Sequence, residues 1–130
     1  MSKTPKELLS WAKSENVEFV DIRFTDMLGT MQHFTMPLHS ISEDDFRLGI
    51  GFDGSSIRGW KAINESDMLA VLDSGSAYID PFFEHKTLAI IADICEPGDS
   101  PKPYARDPRF ILKKALEYLK KTGIADSAYM

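Results

Sequence analysis

One run of the chain, residues 87–95 (TLAIIADIC), is apolar almost without a break, and Ile90, Ile91 and Ile94 in it are β-branched. A short apolar run of this kind is a strand covered on both faces. It belongs in the middle of a sheet, so the rest of the chain has to supply its neighbours and its cover.

The neighbours are legible as alternation. Val20, Ile22 and Phe24 alternate with Asp21 and Arg23, which predicts a strand over residues 17–24 with Asp21 and Arg23 turned away from the core. Residues 25–29 (TDMLG) form a turn, with Gly29 free to take positive φ. Residues 30–36 alternate again, Gln32, Phe34 and Met36 against Met31, His33 and Thr35, so the pair is a hairpin that Pro37 ends. Residues 68–72 and 77–81 are further short strands, the second stopped by Pro81.

The cover is a helix. Thr4 can cap it, Pro5 suits its first position, and Glu7 completes a capping box. Leu8, Leu9 and Ala12 then form an apolar stripe. Ser42 followed by Glu43, Asp44 and Asp45 reads as one capped helical turn, so that acidic run needs no ligand. Beyond Glu96 the composition shifts. Pro97, Pro101, Pro103 and Pro108 crowd together, which places a domain boundary there. Asp107 and Pro108 start a second helix with Ile111, Leu112, Ala115, Leu116 and Leu119 along one side, and Gly123 ends it. Residues 124–130 look strand-like. The division is residues 1–98, then 99–130.

The bulk composition excludes several classes. At 43% hydrophobic residues the chain has material for a core and too much for disorder. A net charge of −5 without a Lys/Arg block argues against nucleic acid. Cys95 is the single cysteine, so no internal disulfide can form, and its place in the apolar run makes it a buried, inert thiol. The apolar runs are too short to span a bilayer, and the N-terminus shows no signal-peptide pattern. A cytoplasmic protein is expected. His33, His39 and His85 lack metal-ligand spacing, and no phosphate-binding glycine motif or nucleophile elbow occurs.

What remains is residues 51–73, a polar stretch mixing acids, hydroxyls, glycine and tryptophan. Asp53, followed by Gly54, Ser55 and Ser56, can be a turn stabilised by its own side chains, the reading that pattern alone favours. It can also be a carboxylate fixed on a tight loop to take a small cation or an amine, since it only accepts. Glu65 and Asp67 divide in the same way between solvated acids and a site. Trp60 is either an anchor in the local core or a lid over a ligand. Arg58 and Lys61 can pair with these acids or with another subunit.

The segment FDGSSIRGWKAINESDM resembles, nearly letter for letter, the N-terminal signature of bacterial type I glutamine synthetases. VDIRFTDMLGTMQHFTMP, AYIDPF, YARDPR and KKALEYLKKTGIADSAY are similar to later and earlier parts of the same family, in the same order. The resemblance implies an α+β fold, a β-grasp (ubiquitin-like) domain, followed by a linker and the first helix of a truncated catalytic domain. It implies a part of an enzyme that joins ammonia to glutamate with ATP, through γ-glutamyl phosphate, using Mg2+ or Mn2+. The metal, ATP and glutamate ligands and the family's adenylylation site would lie in the missing domain, so this chain alone would bind no cofactor and make no glutamine. The family assembles as a double-ring dodecamer, with each active site shared between neighbours.

By the same resemblance Asp53 matches the aspartate that binds ammonium, and Ser56 the serine beside that pocket. Asp67 matches an acid of the latch that meets the neighbour's flap. Gly54, Ser55, Trp60 and Glu65 match the surrounding interface loop, with Trp60 packing across it. The competing expectation is a standalone β-grasp module that binds a partner without chemistry.

Overall fold

The computed structural model describes residues 3–60, 66–98 and 100–128. Its elements are α1 (Pro5–Ser14), β1 (Phe19–Thr25), β2 (Met31–Pro37), β3 (Ile50–Asp53), β4 (Asp67–Leu72), β5 (Tyr78–Asp80), β6 (Thr87–Glu96), β7 (Lys102–Pro103) and α2 (Pro108–Thr122). One mixed sheet runs in the order β2-β1-β6-β4-β3, and β5 and β7 also pair with β6.

β6 is the central strand the apolar run requires. Its first half lies parallel to β1, with Leu88 opposite Val20 and Ile90 opposite Ile22. Its second half lies antiparallel to β4, with Ile94 opposite Ala70. Leu88, Ile90 and Ile94 are at most 1% exposed, and each fully buried side chain of this size is worth about 1.5–3 kcal/mol. Cys95 is buried, and burial pushes its thiol up to about 11.

α1 closes one face of the sheet. Its capping box forms as expected: Thr4 N donates to Glu7 at 2.8 Å, and Glu7 N donates to the Thr4 hydroxyl at 3.3 Å. Leu8 and Ala12 are buried in the core with Val20, Ile22 and Leu88. The β1–β2 hairpin also forms as expected, with Asp26 accepting from Leu28 N and Thr30 N inside the turn and Gly29 at φ 84°.

Three expectations need correction. Asp21 does not face solvent. It is 1% exposed, roofed by side chains of the hairpin: it accepts from Arg23 Nε at 2.7 Å and from Thr35 at 2.9 Å, and lies 2.7 Å from His33 Nδ1. Arg23 in turn donates to Tyr78 and Asp80, so the outward face of β1 carries a buried polar network. Alternation reports which face a residue is on, not whether neighbours cover that face.

Second, the polar stretch begins with a strand, β3, because Ile50 and Phe52 alternate with Gly51 and Asp53 over only four residues, two of them poor strand formers. Third, residues 124–128 are not strand.

The proline-rich segment stays on the sheet. β7 pairs with Cys95 and Glu96, Tyr104 is buried, and Tyr104 N donates to the Ile94 carbonyl. α2 has Asp107 as its cap and Gly123 in the left-handed region, as expected. None of its residues is buried. It is held to the sheet by charge: Arg109 donates to Asp73 and Asp93, and Lys113 to Asp93.

Candidate functional site

β3 and β4 are antiparallel, and their register sets Asp53 directly opposite Asp67. Both are exposed. Like charges directly across a ladder are destabilising, so this pair needs a local reason. Among the described residues no Lys, Arg or His forms an ion pair with either.

Asp53 caps a single 3-10 turn, Gly54–Ser56. Its Oδ1 accepts from the Ser55 hydroxyl at 2.7 Å and from Ser55 N at 2.9 Å. These two bonds, with a further one from the Ser66 side chain, hold the Asp53 carboxyl below its ordinary range. The group therefore stays ionised, fixed and open to solvent.

Gly54 is where it is for room rather than for an unusual backbone angle. A Cβ there would stand 2.7 Å from Met68 Cγ and 3.0 Å from the Ser66 carbonyl. Gly54 N donates to that carbonyl at 2.7 Å, and Met68 beneath is fully buried. The turn thus lies flat on β4, and Asp53 is carried by the rigid sheet rather than by a free loop.

The chain then passes Ile57, which is buried, and turns at Gly59 with φ 85°. Trp60 is 4% exposed, against Phe24, Phe52 and Tyr104 with ring centroids 5.5, 6.4 and 5.5 Å away. This packing makes Trp60 an anchor of the local core. Among the described residues its buried indole N–H finds no hydrogen-bond partner, a feature that costs about 1–3 kcal/mol.

Of the residues singled out in the sequence, Asp53, Ser55, Ser56 and Asp67 come together at one end of the β3–β4 pair, with Ser56 exposed at the end of the turn. Arg58 is exposed nearby. Lys61, Asn64 and Glu65 lie outside the described residues. Ser66, Met68, Tyr104 and Arg106 escaped notice. Tyr104 Oη donates to the Trp60 carbonyl at 2.9 Å, and Arg106 to the Gly59 carbonyl at 3.0 Å. Their only sequence signal was the YARDPR segment, which had been read as linker. Among the described residues no three His, Cys, Asp or Glu side chains are grouped to hold a metal ion.

Residues 16–97 match the beta-Grasp domain of glutamine synthetase. The chain belongs to the glutamine synthetase family. Its mixed sheet with α1 across one face is that family's α+β, β-grasp domain. The glutamine synthetase of Aquifex aeolicus is 54% identical over 97% of this chain, which covers 27% of that relative. A 3-hydroxylaminophenol mutase of Cupriavidus pinatubonensis is 47% identical over 99% of the chain, again 27% of the relative. In three dimensions the glutamine synthetase of Plasmodium falciparum superposes with a TM-score of 0.82 at 30% identity, covering 95% of this chain and 24% of that one. The chain thus spans about a quarter of the length of the family members it matches. Among the described residues no helix is long and apolar enough to cross a membrane.

Proposed function

We propose that this chain supplies the ammonium-binding loop of a glutamate–ammonia ligase, and that the loop works in the active site of a neighbouring copy in a homo-oligomeric ring. The carrying observation is the Asp53–Asp67 pair: two exposed carboxylates in register, with no cation from the described residues between them. A small cation such as ammonium relieves the repulsion and gains charge-assisted hydrogen bonds.

Asp53 has the properties of a cation holder. Its carboxyl sits below the ordinary range, so it attracts and orients ammonium better than it takes its proton. Orientation is its contribution: the nitrogen is presented to the acyl carbon of glutamate, activated as γ-glutamyl phosphate, by a group that the sheet holds still. Ser56, exposed at the end of the turn, lines the same approach, and Asp67 adds negative charge from β4.

The family's reaction also uses ATP and Mg2+ or Mn2+. The described residues do not fit either: no acid or histidine cluster is grouped for a metal, and no phosphate-cradling glycine motif is present. We assign those groups to the part of the family's length that this chain does not span, and the 130-residue chain by itself should form no glutamine.

The experiment is Asp53→Ala in the full-length gene product, assayed for glutamine formation. The KM for ammonium should rise while the KM for glutamate stays near its starting value. An ammonium KM that does not move would remove the basis for the reading, as would ATP-dependent glutamine formation by the 130-residue chain alone.

A further inference from the structure

The turn that carries Asp53 is supported from two sides. From below it rests on Met68. At its far end the consecutive carbonyls of Gly59 and Trp60 are both taken by the segment just before α2: Trp60 by the buried Tyr104 hydroxyl at 2.9 Å, Gly59 by the Arg106 guanidinium at 3.0 Å. The Tyr104 ring also meets the Trp60 ring edge-on, at 5.5 Å.

That segment is itself fastened to the central strand. Ile94 gives its carbonyl to Tyr104 N at 2.9 Å and its N–H to Asp107 Oδ2 at 3.1 Å. One residue of β6 therefore clasps residues 104 and 107, and the residues at 104 and 106 clasp the loop. Such a link has little freedom, because two adjacent loop carbonyls and two backbone groups of one strand are all engaged at once.

We infer that Tyr104 and Arg106 are positioning residues for the Asp53 loop, setting where its carboxylate stands when ammonium arrives. This rests on the reading that Asp53 binds ammonium. Neither side chain touches the cation; each acts through a loop carbonyl. Tyr104, buried, carries more of the effect than the exposed Arg106, whose bond competes with water.

The test uses the full-length gene product with Tyr104→Phe, Arg106→Ala, Arg106→Lys and, as reference, Asp53→Ala. Tyr104→Phe keeps the ring packing and removes only the hydroxyl. It should raise the KM for ammonium about five- to tenfold, with kcat and the KM for glutamate within about twofold. Arg106→Ala should raise the ammonium KM about twofold to threefold, and Arg106→Lys, which can still donate to the Gly59 carbonyl, should restore it. Amide hydrogen exchange over residues 57–60 should quicken in Tyr104→Phe, a readout independent of turnover.

A purely structural role would lower thermal stability and leave the ratio of the two KM values alone. If Asp53→Ala raises the ammonium KM but Tyr104→Phe and Arg106→Ala do not, the positioning role is overturned and the ammonium reading stands. If Asp53→Ala itself leaves that KM unmoved, the ammonium reading fails and the positioning role fails with it.

Discussion

Asp53 and Asp73 occupy almost the same local structure. Asp53 ends β3 and Asp73 follows β4, with φ and ψ of −81° and 103° for Asp53 and −99° and 100° for Asp73. Each caps a single 3-10 turn and accepts, at 2.9 Å, from the backbone N–H two residues on. They differ in the company the charge keeps. Asp73 is answered within the chain by Arg109. Among the described residues Asp53 meets only hydroxyl and N–H groups, and its cross-strand neighbour is another acid. Turn chemistry therefore explains both aspartates equally and cannot separate them. The unanswered charge does.

The sharpest way to break this contrast is to neutralise each acid in turn. Asp53→Asn keeps the turn's acceptor and removes the charge. It should cut kcat/KM for ammonium about tenfold to a hundredfold, with little change in melting temperature. Asp73→Asn should do the reverse: an unchanged ammonium KM and a stability loss of about 0.5–1 kcal/mol, small because both partners are partly exposed to screening solvent. Equal effects of the two substitutions on ammonium would dissolve the distinction.

Next in size is the support beneath Asp53. Gly54→Ala drives a methyl group into Met68 and should destabilise the protein by about 1–3 kcal/mol, read by denaturant unfolding.

Acid titration gives a smaller effect. Burial pushes the Asp73 carboxyl up, but Arg109 and the Gly75 N–H together outweigh it, and the net direction is down. A carboxyl lower in the folded than in the unfolded state adds stability that is complete above the unfolded value, about 3.9, and is lost as pH falls through the folded one. Arg109→Ala removes that contribution, so its acid-unfolding midpoint should lie at higher pH than that of the parent. The smallest effect belongs to Ser55→Ala, which takes one hydrogen bond from Asp53 and should raise the ammonium KM about twofold to fivefold.

How far all this was legible depends on the range of the interaction. Caps, turns and the central strand are local, and Thr4, Gly29, Gly123 and residues 87–95 announced them directly. The family was legible too, from the letters around Asp53. What did not show were contacts between distant segments. The burial of Asp21 did not show because its covers, His33 and Thr35, sit on another strand. Gly54 read only as part of a turn because Met68, which crowds it, lies on another strand. Tyr104 looked like linker because its partner, Trp60, is 44 residues away. α1 and α2 made the same point from the other side: both show an apolar stripe, and only α1 finds a sheet to bury it against.

The contact between Gly54 and Met68 has a consequence for how this region can drift over generations. A larger residue at 54 is tolerable only where 68 has become smaller, and a shorter side chain at 68 leaves a hollow under the turn that nothing at 54 was selected to fill. The two positions are therefore coupled by their packing. Among descendants of this sequence, a change at either should be found in the company of a change at the other.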